Sequence, residues 1–314
     1  AVIEVFGDAL FEPEVKEEAI KMDERQQQLF VKMIKKSSDI RHQYIEPTST
    51  SFAVIAWPVP SIGSQFEAIM QETIKVNNLD NDTYRQIQKT MIDAMDGCHH
   101  MHIEGCNGNE TKLDVCIRQL TDPEKETAFE NCTADVNIPA GEVFTSPVLE
   151  GTNGVLHVSS VYLEGLNYVD LKLTFTDGFV SDYSCRNFED EKLNKTYIKE
   201  NLMENRPALP MGEFAIGTNT MAYAMYRRYG IGQIMPILIM EKTGPHFAIG
   251  DTCYSHCEDH RVYNFDGKEI MARDNSASAK RKDNPDEAYF NVHTDITIPY
   301  TEIGVIQAVF ADGR

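Results

Sequence analysis

The sequence is poor in positive charge. It contains 29 Lys and Arg residues against 49 Asp and Glu residues, which gives a formal net charge of -20 at pH 7. Proteins that bind a phosphate backbone carry clustered cationic side chains. The longest basic run here consists of only Lys280, Arg281 and Lys282. These features exclude nucleic acid as a partner.

The sequence also lacks a long hydrophobic run and a dense cysteine pattern. No stretch approaches the roughly 18 apolar residues that a membrane span requires, and residues 1–7 lack the features of a signal peptide. The seven cysteines are odd in number and spread thinly over 314 residues, which does not fit a disulfide framework. We therefore predict a cytoplasmic protein with reduced thiols and no membrane partner. The chain opens without Met on a strand-like segment, residues 2–6, so we expect further sequence upstream.

Helix and strand patterns alternate in the first 130 residues. Apolar side chains recur every three or four positions over residues 13–36, which predicts a helix. An apolar run over residues 51–57 ends at Pro58 and is typical of a buried strand. Two more helices are predicted over residues 61–76 and 83–102, followed by a strand over residues 111–118. This alternation predicts a parallel α/β layer in a scaffold domain of residues 1–130.

The pattern changes in the second half of the chain. Short strands are predicted over residues 155–158, 168–175, 179–183 and 304–310, with one helix over residues 189–204. Asp177 and Gly178 form a strong hairpin signal between two of these strands. The fold class is therefore α/β, with a mainly antiparallel α+β domain over residues 131–314, whose Glu, His and Asp residues predict that it is a metal-binding domain.

Four segments of this second half place possible metal ligands beside glycine, proline or each other. They contain Glu142 (residues 137–145), Glu213 (212–217), His246 (244–250), and His293 with Asp295. On a strand, His293 and Asp295 project from the same face because they are two positions apart. A single Glu or His-x-Asp is more often a surface or hydrogen-bonded group. The combined carboxylates and imidazoles suit a pair of divalent ions such as zinc, cobalt or manganese.

In their order along the chain and in their residues, these segments resemble the M29 family of metallo-aminopeptidases, the thermophilic aminopeptidase T group. The matching motifs are Pro-Ala-Gly-Glu142-Val-Phe-Thr-Ser-Pro, Gly-Glu213-Phe-Ala-Ile-Gly-Thr-Asn, His246-Phe-Ala-Ile-Gly and His293-Thr-Asp295. The resemblance covers residues 134–314. It implies an aminopeptidase that acts on peptides, a homodimer, and a dinuclear centre that activates water. By the same resemblance the ligands are Glu142, Glu213, His246, His293 and Asp295, and the identity of the bridging carboxylate stays open.

The sequence departs from the family pattern at the expected catalytic tyrosine. The family usually has this tyrosine seven positions after the histidine matched to His246, where this chain has Cys253. Tyr254 follows one position later, and a one-residue bulge would restore its aim. We therefore keep Tyr254 as a candidate catalytic residue together with Glu142.

Other interpretations of the same residues remain open. His246, His293 and Asp295 alone match the two-histidine, one-carboxylate set of Fe(II) oxygenases, and ring-cleaving dioxygenases of dihydroxypyridines are similar in this region. The chain is alternatively a metal-binding fragment without turnover. Two Cys and His clusters also have zinc-like composition but unsuitable spacing or location; they are Cys253, His256, Cys257 and His260, and Cys98, His99, His100, His102 and Cys106.

Overall fold

The structure is a computed structural model that describes residues 22–45, 49, 53–133 and 137–312. The helices in these ranges are α1 Glu24–Tyr44, α2 Phe66–Asn77, α3 Asn81–Met95, α4 Glu191–Asn201, α5 Thr220–Tyr229, α6 Ile237–Met240 and α7 Pro285–Ala288. The strands are β1 Val54–Ile55, β2 His100–Gly105, β3 Lys112–Cys116, β4 Glu126–Thr127, β5 Glu130–Cys132, β6 Asn137–Ile138, β7 Glu142–Thr145, β8 Val148–Leu163, β9 Leu166–Thr176, β10 Phe179–Ser184, β11 Met211–Gly217, β12 Pro245–Gly250, β13 Glu269–Ile270, β14 His293–Thr297 and β15 Ile303–Val309. Short 3-10 helices cover Pro60–Ile62, Gly232–Ile234, Glu241–Thr243, Ser278–Lys282 and Tyr300–Glu302.

The larger sheet has six strands in the order β10-β9-β8-β3-β2-β15, and its neighbouring strands are antiparallel. The predicted hairpin between β9 and β10 is confirmed. Its turn residues Asp177 and Gly178 have φ angles of 43° and 74°, which is the left-handed geometry that a two-residue hairpin turn requires. Strands from both sides of residue 130 share this sheet, and the division into two domains at that residue stays a prediction.

The second sheet has five antiparallel strands in the order β14-β12-β11-β7-β5. Every residue of β11 and β12 is buried. Alternate side chains of these strands, Phe214, Ile216, Phe247 and Ile249, belong to the main hydrophobic core, which also includes residues of the six-stranded sheet. Because strand side chains alternate between faces, the remaining positions of β11 and β12 are left for the ligand-type residues.

Two predicted helices differ from the structure at their ends. The helix predicted over residues 13–36 corresponds to α1, which begins after Asp23 in a capping box with Gln26; its predicted residues 13–21, like the strand-like residues 2–6, lie outside the described residues. The helix predicted to reach residue 102 was wrong beyond Met95. Gly97 turns the chain with a φ of 83°, and β2 then pairs with both β3 and β15.

The mixed α/β class is confirmed, but strand pairing in the first 130 residues differs from the predicted parallel layer. The strands β2 and β3 are antiparallel neighbours, joined by a short loop, which antiparallel pairing allows. Within the described ranges, parallel pairing occurs only in two short ladders, β1 with β6 and β13 with β4.

Among the described helices, none is both long and apolar enough to cross a lipid bilayer.

Candidate metal centre

The five predicted ligands project from one face of the five-stranded sheet. Residues directly opposite each other on antiparallel strands share a face. Each ligand has a small residue opposite it: Glu142 pairs with Gly217, His246 with Ala215, Glu213 and Asp295 with Ala248, and His293 with Gly250. The two glycines lie against neighbouring backbone, because a side chain at Gly217 would collide with Lys242 and one at Gly250 with the carbonyl of Val292. The Gly-Glu-Phe-Ala-Ile-Gly and His-Phe-Ala-Ile-Gly motifs therefore encode both the candidate ligands and the close backbone packing beside them.

One group of side chains consists of Glu142, Glu213 and His246. The Nε2 atom of His246 lies 3.1 Å from Glu142 Oε2 and 3.5 Å from Glu213 Oε1. All three residues are buried, and their potential ligand atoms lie within 4.8 Å of one another. This group has the spacing of a cation site.

A second group consists of Glu213, Cys253 and His293, whose potential ligand atoms also lie within 4.8 Å of one another. The Nε2 atom of His293 lies 3.1 Å from Glu213 Oε2 and 3.5 Å from Asp295 Oδ1. Glu213 belongs to both groups: its Oε1 faces His246 and its Oε2 faces His293. The family resemblance predicted Glu213 as a ligand, whereas Cys253 was named only at the expected tyrosine position and in a separate Cys and His cluster.

The orientation of His293 is fixed by a backbone carbonyl. Its Nδ1 lies 2.7 Å from the carbonyl oxygen of Asp251, and because a carbonyl only accepts hydrogen bonds, Nδ1 carries the hydrogen. The Asp251 carboxylate accepts hydrogen bonds from the backbone amides of Phe290 and Asn291 at 2.7 and 2.6 Å. This arrangement directs Nε2 toward Glu213, as in metal sites where a second nitrogen–hydrogen bond orients the ligating imidazole.

The arrangement of polar atoms fits divalent ions. Glu142 Oε2 and Asp295 Oδ1 are buried and form no well-aligned hydrogen bond among the described residues, since each faces only an imidazole nitrogen, at 3.1 and 3.5 Å. Unsatisfied buried oxygens are costly and rare, and a bound cation satisfies them. Carboxylate and imidazole ligands of this number suit zinc, cobalt or manganese. The residues present therefore fit the metal ions that the sequence predicts.

A buried lysine that sequence reasoning missed balances the charge of this centre. Lys242 is completely buried, and its Nζ lies 2.6 Å from Glu142 Oε1 and 2.5 Å from Glu241 Oε1. Burial alone would lower the pKa of Lys242, but the two carboxylates raise it well above its usual value. Burial raises the pKa of Glu142, yet Lys242 and His246 outweigh it and bring that pKa to about 2. Lys242 thus holds one oxygen of Glu142 and leaves the other for an ion.

Neighbouring carboxylates also raise the pKa values of the two histidines. Burial lowers the pKa of His246, but Glu142 and Glu213 outweigh this effect and raise it well above its usual value. For His293, loss of solvent contact is likewise outweighed by neighbours that include Asp295 and Glu213, and its pKa is raised. Without ions the imidazoles therefore hold protons between the carboxylates. A divalent ion replaces these protons when it binds.

The structure does not bring the hydroxyl of Tyr254 to the predicted ligands. This hydroxyl donates a hydrogen bond to Glu130, and the Tyr254 ring lies 6.0 Å from the ring of Phe144. The side chain that contacts the ligand set from this loop is Cys253. The bulge that was expected to redirect Tyr254 toward the ligands therefore gains no support from its contacts.

The other Cys and His clusters do not form ligand groups. His256 stacks on Tyr289 with the ring centroids 3.9 Å apart. His102 lies on β2 rather than at a helix end, with its Nδ1 2.5 Å from Asp114. Among the described residues, neither group with metal-ligand spacing contains His256, Cys257, His260 or any residue of the 98–106 segment.

A mixed α/β fold with two clusters of potential metal ligands at one sheet places this protein in the class of candidate metal-binding proteins. Comparison with protein families agrees: the family described as thermophilic metalloprotease (M29) matches residues 12–285. Because this match covers most of the chain, the chain belongs to the M29 family, as its motifs predicted.

A solved structure shares this fold. Wild-type AmpT from Thermus thermophilus superposes with a TM-score of 0.51 at 18% sequence identity, over 82% of this chain and 58% of that one. The chain thus spans less than two thirds of the length of AmpT. A search of curated proteins found no match.

Proposed function

We propose that this chain carries the active centre of a metal-dependent aminopeptidase that removes N-terminal residues from peptides. The observation that carries the proposal is Glu213, whose two carboxylate oxygens face two different groups of ligands. A carboxylate in this position suits a bridge between two divalent ions. Membership of a metalloprotease family supports peptide hydrolysis as the reaction.

Each of the predicted ligands has a role in such a centre. Glu142 and His246 would hold one ion, His293 and Asp295 would hold the other, and Glu213 would contact both. When bound, a pair of divalent ions supplies an activated water and polarises the scissile carbonyl. Lys242 keeps Glu142 ionised and fixed in position. Zinc, cobalt or manganese as the metal, a homodimer and a cytoplasmic location stay predictions.

The geometry favours this proposal over the Fe(II) dioxygenase. A mononuclear site of that type needs His246, His293 and Asp295 around one ion. Among the described residues, His246 groups with Glu142 and Glu213, whereas His293 groups with Glu213 and Cys253, and no group unites the two histidines. Glu213 lies between them, as expected for two ions rather than one.

Metal removal tests the proposed function. We expect two divalent ions per chain by elemental analysis, and hydrolysis of amino-acid amides that a chelator abolishes and zinc or cobalt restores. Hydrolysis that persists in fully chelated protein contradicts the proposal. One iron per chain with oxygen-dependent ring cleavage of a dihydroxypyridine supports the dioxygenase, and two bound ions without hydrolysis support the non-catalytic fragment.

The role of Tyr254 is tested by Tyr254→Phe. Because its hydroxyl bonds to Glu130, we expect the variant to lose about 1.5 to 3 kcal/mol of unfolding free energy, while the rate of hydrolysis changes less than about tenfold. Chemical denaturation and amide hydrolysis measure the two effects, with Tyr263→Phe at an exposed tyrosine as the control. A rate loss of about a hundredfold or more at unchanged stability, typical of a lost proton donor, would establish Tyr254 as catalytic.

A further inference from the structure

Cys253 occupies a position from which its thiol reaches the second ligand group. It follows β12 in a turn-rich segment whose backbone is fixed by hydrogen bonds, such as Ser255 N to Thr252 O at 3.0 Å and Cys257 N to Tyr254 O at 2.6 Å. Its Sγ donates to Glu213 Oε2 at 2.9 Å. This is the same oxygen that faces His293.

We propose that Cys253 is a sixth protein ligand of the metal centre and binds one ion through its sulfur. The proposal rests on the dinuclear centre of the proposed function. Its ion is the one shared by Glu213 and His293, with Asp295 beside them. On binding, the sulfur–hydrogen bond breaks, the proton leaves to solvent, and the sulfur forms a bond to the ion without any change of oxidation state.

Two observations besides the thiol itself point to an ion at this place. The imidazole of His293 is locked with Nδ1 on the Asp251 carbonyl, so its Nε2 is directed toward Glu213 Oε2. Asp295 Oδ1 is buried, forms no well-aligned hydrogen bond among the described residues and lies 3.5 Å from His293 Nε2. Nitrogen, oxygen and sulfur donors therefore converge on one point beside Glu213.

A sulfur ligand changes which ion the site prefers. Thiolates bind zinc and other borderline or soft ions well, whereas manganese prefers oxygen ligands. None of the clustered ligand atoms of the first group, those of Glu142, Glu213 and His246, is a sulfur; Cys132 lies beside Glu142 on the neighbouring strand but outside this group. The two positions are therefore chemically different, and the position at Cys253 selects zinc or cobalt over manganese. Cys253 has solvent-exposed atoms, while its Sγ is directed at the buried carboxylate of Glu213.

Cobalt spectroscopy tests the sulfur ligand directly. The chain loaded with two equivalents of Co²⁺ is expected to show a near-ultraviolet sulfur-to-cobalt charge-transfer band, and X-ray absorption of the zinc form to show a zinc–sulfur distance of about 2.3 Å. Cys253→Ser is expected to lose both signals and to bind zinc at this position at least about tenfold more weakly, since even residues that only orient ligands contribute that much. Cys257→Ser, a change in the same loop, is the matched control and retains both signals.

Thiol alkylation gives a second measurement that does not depend on a variant. Zinc is expected to protect Cys253 from iodoacetamide but not Cys257, as read by mass spectrometry of the peptides. Two bound cobalt ions without the charge-transfer band, or a band that persists in Cys253→Ser, overturn the sulfur ligand and leave the aminopeptidase proposal intact. A chain that binds no cobalt overturns both.

Discussion

Glu213→Gln is expected to reduce hydrolysis at least about a thousandfold and to lower the number of bound ions from two to one or none. Removing a single group that stabilises charge in an active site typically costs 10² to 10³ in rate, and Glu213 faces both ligand groups. Glutamine has nearly the same size, but it carries no charge and one of its two ends is a donor. Steady-state kinetics and elemental analysis measure the two effects.

The loss of activity and ions in Glu213→Gln must be distinguished from unfolding of the variant. Glu213 is only 5% exposed, and His246 and His293 outweigh its burial and hold its pKa well below the usual value. In the variant these imidazoles can release their protons rather than remain as unpaired charges, so the apo variant is expected to stay folded by circular dichroism. Glu150→Gln, at an exposed position of β8, is the control and keeps both activity and ion content. Retention of two ions and of more than a tenth of the activity in Glu213→Gln would contradict a bridging role.

The candidate ligands could be named from sequence because their motifs resemble those of the M29 family, and each of them lies on a strand of the five-stranded sheet. In Gly212–Gly217 and the segment around His246, polar or small residues alternate with Phe and Ile, and this alternation alone fixes which side chains share a face. The antiparallel hairpin at Asp177 and Gly178 was predictable for a similar reason, since its turn residues require left-handed backbone angles. Such local patterns predict strand faces and turns without knowledge of the rest of the fold.

Other parts of the centre depend on contacts between distant segments. Nothing near Lys242 in the sequence indicates that it pairs with Glu142, one hundred positions earlier. The choice between Cys253 and Tyr254 depends on how the loop after β12 turns, and spacing does not determine it.

The end of α3 was missed because β2 forms through pairing with β3 and β15, and tertiary pairing of this kind overrides local helix preference.

Lys242→Met is expected to lower the unfolding free energy of the metal-free protein by about 3 to 5 kcal/mol. Removing one partner of a buried ion pair leaves the other charges without compensation in a poorly solvated place. Here both Glu142 and Glu241 would lose their cation. Lys125→Met removes a cation from a pair with Asp122 that is exposed to solvent, so it is the control and is expected to cost less than about 1 kcal/mol. Chemical denaturation in the presence of a chelator measures both.

The pH dependence of the stability loss in Lys242→Met distinguishes uncompensated buried charge from a packing defect. With Lys242 present, the pKa of Glu142 is about 2, and burial already raises that of Glu241 to about 7. Without Lys242, both pKa values are expected to rise, so that each lies above the value near 4.5 of the unfolded chain. Stability conferred by such groups is present below that value and is lost as the pH rises through the folded-state pKa. The gap between Lys242→Met and the unmodified protein is therefore expected to be small near pH 5 and to widen toward pH 8. Adding Glu241→Gln to the variant removes one of the two charges and is expected to narrow the gap at pH 8. A gap that does not vary with pH and is unchanged by Glu241→Gln would show that Lys242 contributes by packing alone.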